Sequence, residues 1–471
     1  MFKTKAFISA LLLSVSALAL ASCGGASNSS SSENEYANVD VDSEVRNTVS
    51  DRVNNSELLT GELENKTIKW MANWDINPDA SGKNKPTELV AFEEKYGGVI
   101  EYHAVDWSAR YEKLAESINS GEGIDFFYAG DMDAFPKGAV RGMFTPVDDY
   151  IDFESPLWED VKEVNDQLIW DGKHYCVVTQ STGDKVACVY NRKTIQEAGL
   201  TDPAELYEDG EWDWNAFQDM LQSFVDVDKQ HYGIDGWWFE FALMETTGCP
   251  AVTIEDGKLV SNIGKPAFER VQNWLYELNT TGCIAIGVGD YGWTAHPEFV
   301  GEGKVLFYPV GLYTFYTKPE DWKGQFGEDA FFVPMPKDPE ADEYYIPVGM
   351  EAYTMVKGGQ NPEGVAKFLD CKRFAIMDEG TKEVADQQFL DDYGWTDEMI
   401  AMKDEMQRLA DENPAYDLST GVSTDCADLL DNQLRAASRG TPWNETYDAI
   451  SATLDTYLEE VNSNPVANTV K

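Results

Sequence analysis

The sequence has few of the residues and patterns on which catalytic and metal sites are usually built. Its four histidines are widely spaced and none of its seven cysteines forms a CxxC pair, so neither zinc nor a redox motif is expected. The GxSxG, HExxH and P-loop patterns are missing as well. A glycosidase needs two carboxylates, but among 84 Asp and Glu residues acidic pairs arise by chance and carry no information. The sequence therefore predicts no enzyme, no cofactor and no metal site.

Positive charge is also scarce. Lys and Arg number 36 against 84 Asp and Glu, and the formal net charge is -48. A chain with this charge is repelled by phosphate backbones and by anionic lipid head groups, so nucleic-acid binding is excluded. An acidic surface by itself mostly reflects solubility.

Long apolar runs are confined to the N-terminus. Beyond it we find no run of 18 or more consecutive apolar residues. Lys3 and Lys5 precede an apolar segment at residues 10–20, as in a secretory signal. The four residues that end in Cys23 resemble a bacterial lipobox, at which a lipoprotein signal peptidase cuts before a diacylated cysteine. We predict a signal peptide at residues 1–22 and an extracytoplasmic protein that is lipid-anchored to the bacterial cell membrane through Cys23. An ordinary signal peptide with a coincidental cysteine is the alternative.

Residues 23–64 are predicted to form a flexible tether. Gly, Ser, Asn, Asp and Glu dominate this stretch, so it has too few apolar side chains for a packed core. A lipidated cysteine followed by such an arm would place the globular part of the chain just outside a membrane.

Six cysteines remain after Cys23, and an exported chain permits disulfides. Six cysteines allow fifteen pairings, and the sequence does not choose among them. They are Cys176, Cys188, Cys249, Cys283, Cys371 and Cys426.

After the tether the chain opens with a regular alternation of strands and helices. Three short runs rich in β-branched and aromatic residues predict strands at residues 67–71, 99–105 and 124–129. A helix that begins at Pro86 and ends at Gly97 separates the first two, and a helix capped by Ser108 and ended by Gly121 separates the next two. The order β-α-β-α-β predicts a parallel sheet with right-handed crossovers.

Three later helices are predicted where a capping residue or a proline precedes apolar side chains at helical spacing. They begin at Asp213, at Asn361-Pro362 and at Thr441-Pro442. Their apolar stripes are assigned to the core.

The residues that follow the three predicted strands indicate a binding site. Ligands in open α/β sheets lie outside the carboxyl ends of the strands. Each of these ends carries Trp or Tyr together with Asp, which supplies a stacking face and hydrogen-bond acceptors for a polyhydroxylated ring. Helix caps and core aromatics are the alternative explanation. The candidates are Trp74 and Asp75 after the first strand, Trp107 after the second, and Tyr128 and Asp131 at the third.

Several short motifs occur in an order that resembles one known family. In chain order, and each with the family pattern that it resembles in parentheses, these motifs are Ile124-Asp125 (a PDI strand), Pro146 to Ile151 (PLDDYI), Tyr190-Asn191-Arg192 with Ala198-Gly199-Leu200 (YNKxxxxxAGL), Trp212-Asp213-Trp214 (a WTW turn) and Gly303-Lys304 (GKxAM). On these motifs the chain resembles the extracellular solute-binding proteins of carbohydrate ABC importers, the large group that includes maltose-binding protein. The resemblance covers residues 65 to about 460.

This resemblance implies an α/β, two-lobed periplasmic-binding-protein-like fold with a ligand cleft between the lobes. Lobe one is expected to comprise residues 65–183 with about 336–390, and lobe two residues 184–335 with about 391–465. The resemblance also implies further ligand-binding residues, which are Trp237, Trp238 and Tyr313 in lobe two and Glu351 where the chain has crossed back.

We therefore expect a monomer that binds an extracellular carbohydrate, an oligosaccharide, and delivers it to the permease subunits of an ABC transporter. Two alternatives stay open. The same fold could bind a non-sugar solute such as a polyamine or a peptide, which the acidic excess would suit. A surface sensing or adhesion protein on the same scaffold is the other.

Overall fold

The computed structural model describes residues 41–77, 85–130, 132–464 and 466–467. The predicted signal peptide, Cys23 and residues 24–40 lie outside this part of the chain, and so does Asp131.

The strands of the described part are short. In chain order they are β1 (Thr67–Ala72), β2 (Val99–Ala104), β3 (Phe126–Tyr128), β4 (Phe144–Thr145), β5 (Ile169–Trp170), β6 (Lys173–His174), β7 (Val177–Thr182), β8 (Ala187–Asn191), β9 (Tyr232–Ile234), β10 (Val252–Glu255), β11 (Lys258–Ser261), β12 (Val305–Val310), β13 (Ala330–Val333) and β14 (Gly349–Val356).

The helices lie between many of these strands, and the last six follow β14. They are α1 (Ser43–Asn55), α2 (Thr87–Tyr96), α3 (Arg110–Ser120), α4 (Lys137–Val140), α5 (Lys162–Gln167), α6 (Arg192–Glu197), α7 (Pro203–Glu208), α8 (Trp214–Phe224), α9 (Phe239–Glu245), α10 (Pro266–Thr280), α11 (Glu298–Gly301), α12 (Pro319–Phe326), α13 (Pro362–Met377), α14 (Glu379–Tyr393), α15 (Asp397–Glu412), α16 (Ser419–Val422), α17 (Thr424–Leu434) and α18 (Trp443–Asn462).

A first sheet has the order β2-β1-β3-β14-β4, and β7 also pairs with β14. Strands β1, β2 and β3 are parallel, as predicted, and β14 runs antiparallel to its partners. Successive side chains of a strand point to opposite faces. Accordingly Phe126 contacts Phe368 of α13 at 5.7 Å between ring centroids, while Phe127 contacts Tyr111 of α3 at 5.5 Å. Helices therefore cover both faces of this sheet.

A second sheet has the order β13-β8-β12-β9. Strand β12 is parallel to β9 and antiparallel to β8. Phe307 stacks on Phe217 of α8 at 4.9 Å, and the next residue, Tyr308, packs against Phe326 of α12 at 6.0 Å. This sheet is also covered on both faces, so the chain has two sheets that are each packed between helices.

The chain passes between the two sheets at residues 183–186 and again at 334–348. Helix α15 contacts β7 of the first sheet and β13 of the second. The Nε2 of Gln407, on α15, donates to the Ser181 carbonyl at 2.7 Å. Tyr416, which follows α15, forms a hydrogen bond between its hydroxyl and the Ser181 hydroxyl. These contacts join the two lobes at the crossing side.

Residues 43–55 correct the prediction of a tether that extends to residue 64. They form α1, in which Val49 and Val53 are fully buried, and the helix packs against α2 and α14. Arg46 forms an ion pair with Glu94 of α2. The composition of this segment is polar, but its valines recur at a four-residue spacing, which places them on one helix face.

The start of α3 corrects a second prediction, that Ser108 caps this helix. The helix begins at Arg110 after a 3-10 turn over Trp107–Ala109, and no side chain caps it, so Ser108 is not the cap. Gly121 ends α3 in the left-handed region with φ 75°, as predicted. The predicted cap Asp213 is confirmed, because its carboxylate accepts from the Ala216 N–H at 2.9 Å.

The six cysteines of the described part are all buried and free. Among the residues described, no helix has the length and apolar character needed to cross a membrane.

Candidate ligand-binding site

Three parallel strands of the first sheet end at one edge. Ala72 of β1 pairs with Ala104 of β2, and Met71 pairs with Phe127 of β3. Because the strands are parallel and in register, the loops that follow them lie side by side. We call the five described residues predicted here the first half-site: Trp74, Asp75, Trp107, Tyr128 and Glu351.

Trp74 and Tyr128 come together as the sequence predicted. Their ring centroids are 5.8 Å apart and the rings are nearly perpendicular at 83°. Beneath them lies Trp70, a fully buried residue whose ring is 5.4 Å from Trp74 and whose Nε1–H donates to the Trp74 carbonyl at 3.2 Å. Trp74 is 39% exposed, so its ring is anchored by the core while part of it remains open to solvent.

Asp75 presents an incompletely bonded carboxylate next to Trp74. Its Oδ1 accepts from the Asn77 backbone N–H and from the Asn77 amide, both at 2.9 Å. Its Oδ2 is buried and has no hydrogen-bond partner among the residues that the structure describes. Burial raises the pKa of this carboxyl above its ordinary value, although the bonds from Asn77 oppose the shift. A buried acceptor without a donor is unfavourable, so a ligand hydroxyl at Oδ2 would be stabilising.

Trp107 lies after β2 and is 48% exposed. The guanidinium carbon of Arg110 is 3.3 Å from the centre of its ring, and Arg110 also forms an ion pair with Asp133. One face of the indole is therefore occupied by a cation, which leaves the other face for a ligand.

Glu351 lies on β14, beside the end of β3. Tyr353 pairs with Tyr128, and the Ala129 N–H donates to the Ala352 carbonyl at 2.8 Å. The Glu351 Oε1 accepts from the Tyr353 hydroxyl and lies 3.2 Å from the Lys372 Nζ. Burial lowers the pKa of Lys372, but Glu351 and Glu88 outweigh burial, so the net effect raises it.

Asp131, the remaining predicted acid of this lobe, lies outside the described residues. The structure therefore leaves its role as a prediction.

A second half-site forms where β9 and β12 end, and it contains Trp237, Trp238 and Tyr313. These strands are parallel, with Tyr232 paired to Val305 and Ile234 to Phe307, so their carboxyl ends share one edge. Trp237 and Trp238 follow β9 and are 59% and 51% exposed, while Tyr313, in the turn after β12, is 66% exposed.

A cation holds the two tryptophans in place. Arg435, from the end of α17, donates to the Trp237 carbonyl at 2.7 Å and to Glu240 at 2.8 Å. Its guanidinium carbon lies 5.3 Å from the centre of the Trp238 ring. Glu240 is only 3% exposed, and burial raises its pKa, a shift that Arg435 opposes. The sequence analysis did not identify Arg435, which is 198 residues from Trp237 along the chain.

Trp293 is an exposed aromatic that the sequence analysis also missed. The segment that precedes it extends the second sheet, because Ile284 forms a parallel bridge with Ile234 of β9. Trp293 is 77% exposed and lies in a glycine-rich loop after this segment. An isolated tryptophan among glycines after an apolar run was the available signal. We include it in the second half-site.

The turn that carries Tyr313 and the strand that carries Glu351 both contact the crossing segment at residues 183–186. The Leu312 N–H donates to the Asp184 carbonyl at 3.0 Å. A Cβ placed on Gly349 would lie 3.4 Å from the Lys185 Cβ, so the start of β14 lies against the same segment. The two half-sites therefore approach each other at this segment.

Exposed tryptophan is concentrated at these strand ends. Of the described residues, five tryptophans are more than a third exposed, and all belong to the two half-sites: Trp74, Trp107, Trp237, Trp238 and Trp293. Large exposed aromatic surface is unfavourable unless something covers it, so this clustering indicates a binding surface. Aromatic faces beside carboxylates suit a ring with apolar faces and a polar edge.

A separate groove of about 880 Å³ lies between α7, α15 and the turn before α8. Its polar groups are largely satisfied within the chain: the Tyr207 hydroxyl donates to Glu405 at 2.5 Å, and Arg408 binds Glu405 at 2.7 Å. None of the exposed tryptophans lines this groove. The strand ends therefore remain the candidate ligand-binding site. The described residues also contain no group of three or more His, Cys, Asp or Glu that could hold a metal ion.

The chain matches the family model of the bacterial extracellular solute-binding proteins over residues 77–371 and belongs to that family. The family that the sequence motifs indicated is thereby confirmed, and an extracytoplasmic location follows from it. Among curated protein sequences, none matches the chain.

Solved structures share the fold at low sequence identity. The cyclic alpha-maltosyl-1,6-maltose binding protein from Arthrobacter globiformis aligns with a TM-score of 0.59 at 14% identity, covering 85% of this chain and 100% of that chain. The extracellular solute-binding protein from Staphylococcus aureus in complex with maltose aligns with a TM-score of 0.57 at 12% identity, covering 85% and 99%. An ABC substrate-binding protein from Listeria monocytogenes in complex with cycloalternan aligns with a TM-score of 0.56 at 16% identity, covering 85% and 98%. The predicted two-lobed fold is confirmed.

Proposed function

We propose that this protein binds an oligosaccharide between its two lobes and delivers it to the permease of an ABC importer. The observation that carries the proposal is the set of exposed tryptophans at the carboxyl ends of parallel strands in both lobes. Sugar rings present apolar C–H faces that stack on indole and phenol rings. Their hydroxyls need acceptors, and the buried, unpartnered Oδ2 of Asp75 is one.

The similar structures support this ligand class. The three relatives described above bind a cyclic maltosyl-maltose, maltose and cycloalternan, and all of these are oligosaccharides. Their identity with this chain is too low to transfer individual residues, so the ligand class rests on the aromatic surface together with the family.

Ligand binding would favour a closed form. A saccharide that stacks on both half-sites makes more contacts when the lobes approach, and a ligand shifts an equilibrium by its difference in affinity for the two states. Trp74, Tyr128, Trp237, Trp238 and Tyr313 would stack on the sugar. Asp75, Asp131 and Glu351 would accept hydroxyl hydrogen bonds. No covalent step is needed, and the closed form is what the permease would bind.

A thermal-shift screen of the purified protein tests the proposal. Mono- and oligosaccharides are compared with polyamines and short peptides. A ligand at about 100 times its dissociation constant adds about 2.7 kcal/mol of stability, which raises the melting temperature. A shift with a saccharide supports the proposal. No shift with any sugar, together with a shift from a cationic ligand, would overturn it and favour the polyamine or peptide alternative.

We also propose that Cys23 carries lipid and anchors the protein to the bacterial cell membrane as a monomer. The support is the lipobox-like run, the preceding apolar segment and the importer function, which operates at a membrane surface. Labelled palmitate should be incorporated into the full chain and not into Cys23→Ser when both are expressed in a bacterium. Equal labelling of the two chains would contradict lipidation at this residue.

A further inference from the structure

Trp293 occupies a distinct position along the edge of the second sheet. Tyr313 follows β12, and Trp237 and Trp238 follow the adjacent β9. Trp293 follows the next segment outward, since the Ala285 N–H donates to the Ile234 carbonyl at 2.9 Å and the Ile234 N–H donates to the Cys283 carbonyl at 2.8 Å. Neighbouring strands lie about 4.8 Å apart, so the segment that leads to Trp293 is about 10 Å from β12.

The ring of Trp293 is supported although it is 77% exposed. It lies on Gly287, where an added Cβ would be 2.9 Å from the Trp293 Cη2. The Gly287 N–H donates to the Gly292 carbonyl at 2.7 Å, which closes the loop below the ring. The six-membered ring of the indole therefore lies beside the Gly287 backbone, and much of the ring surface is open to solvent.

Asp235 fixes this loop from both sides of Trp293. It is the first residue after β9 and is fully buried. Its Oδ2 accepts from the Tyr291 hydroxyl and from the His296 backbone N–H, the latter at 2.7 Å. The carboxylate thus ties residues 291 and 296 to the end of the strand that also carries Trp237.

We infer that Trp293 is the outermost stacking residue of the second half-site, that it contacts sugar units beyond those held by Tyr313, Trp237 and Trp238, and that Asp235 positions it. The inference rests on the proposed function. It makes Trp293 a determinant of ligand length, because a short saccharide does not reach it and a long one does.

Calorimetric titration against a length series tests this assignment. Maltose to maltohexaose are the first probes, with cellobiose to cellohexaose as the second series. Trp293→Ala should leave the affinity for the disaccharide within about twofold and weaken the hexasaccharide about tenfold. Equal loss at every length, or no loss at any length, would overturn the inference. If the parent protein binds neither series, a saccharide that the thermal-shift screen identifies supplies the length series, and binding of no saccharide at all would overturn the proposed function instead, and the inference with it.

The matched control is Tyr150→Ala, which removes another exposed aromatic, outside both half-sites and 38% exposed. It should change neither affinity. Any length-dependent loss in this variant would show that removal of an exposed ring is not a specific probe.

The positioning role of Asp235 is tested by a double-mutant cycle. Asp235→Asn should weaken the hexasaccharide more than the disaccharide, and the double variant with Trp293→Ala should bind no more weakly than Trp293→Ala alone. Additive losses would show that Asp235 does not act through Trp293. Should Asp235→Asn fail to fold, Tyr291→Phe takes its place, because it removes the hydrogen bond from the Tyr291 hydroxyl to Asp235. It should likewise weaken the hexasaccharide more than the disaccharide, and additive losses with Trp293→Ala would again contradict the positioning role.

Discussion

The two half-sites hold their aromatic rings in different ways. In the first, Trp74 and Tyr128 contact each other and the buried Trp70, and Trp74 is 39% exposed. In the second, Tyr313 and Trp293 are 66% and 77% exposed. A ring already packed in the protein has less surface left to bury against a ligand. Trp74 and Tyr128 are thus largely pre-formed, whereas Tyr313 and Trp293 have more surface to bury against a ligand.

The supports beneath the rings differ as well. Trp74 is supported by packing against the rings of Trp70 and Tyr128. Buried carboxylates support the second half-site, where Glu240 pairs with Arg435 below Trp237 and Asp235 anchors the loop of Trp293. Burying charge is costly unless it is paired, so the second half-site should be the more sensitive to loss of a single partner.

The largest expected effect comes from Arg435→Met. It leaves Glu240 buried without its cation, which should lower the free energy of unfolding by about 3–5 kcal/mol. The Trp237 carbonyl also loses its donor, so saccharide affinity should fall. Urea unfolding and calorimetric titration measure the two effects.

The double variant Glu240→Gln with Arg435→Met is the matched control. It removes both charges and should recover most of the lost stability. A double variant as unstable as Arg435→Met alone would contradict the account of Glu240 as an ion-paired carboxylate.

Next in size is the loss of affinity in the second half-site. Tyr313→Ala or Trp237→Ala should cost about 1–3 kcal/mol of binding, or about tenfold to a hundredfold, because each ring has much uncovered surface to bury. Each should leave the free energy of unfolding within about 0.5 kcal/mol of the parent protein. If Trp74→Ala and Tyr313→Ala both left sugar affinity unchanged, the ligand would not bind at these strand ends.

Trp74→Ala should lower stability more than Tyr313→Ala does and lower sugar affinity less. It removes edge contacts with Trp70 and Tyr128, so unfolding should become easier by about 1–2 kcal/mol, together with a smaller loss of affinity than Tyr313→Ala. The comparison between the half-sites fails if the two variants lose stability equally.

Glu351→Gln should have a small effect on binding. The Oε1 of Glu351 already accepts from Tyr353 and pairs with Lys372, so the substitution should cost about 1 kcal/mol of stability and at most about fivefold in affinity. A hundredfold loss of affinity with unchanged stability would make Glu351 a principal ligand residue.

The smallest expected effect is on the pH dependence of stability. Burial raises the folded-state pKa of Asp75 above its ordinary value of 3.8, so its protonated form stabilises the fold. That contribution is complete below about pH 3.8 and is lost as the pH rises through the folded-state pKa. Asp75→Asn keeps an acceptor for Asn77 and removes the charge, so its stability relative to the parent protein should rise from acid to neutral pH. Urea unfolding at several pH values would detect this, and a constant difference would contradict it.

Local pattern was enough to predict much of the first lobe. The strands at β1, β2 and β3 and the helix ends at Gly97 and Gly121 follow from side-chain alternation and from glycine at left-handed positions. The proximity of Trp74 and Tyr128 could be predicted because parallel strands bring their carboxyl ends together whatever the details of packing. That part of the site depends on register alone.

Local pattern was not enough elsewhere. A polar composition hid α1, because its two buried valines gain their stability from α2 and α14 rather than from their own segment. Ser108 looked like a cap, but the chain makes a 3-10 turn there before α3 begins. Trp293 was missed because the segment before it joins the sheet by a single parallel bridge. So short a pairing gives no recognisable strand pattern in the sequence.

The sequence by itself therefore determined the family, the alternation of strands and helices, and which strand ends carry aromatic rings beside acids. These properties depend on neighbours a few residues away. Only the tertiary structure decided which tryptophans stay uncovered and which buried charges support them. The pairing of Arg435 with Trp237 joins residues 198 apart in the chain, and burial depends on everything that packs around a side chain rather than on the residues beside it in sequence.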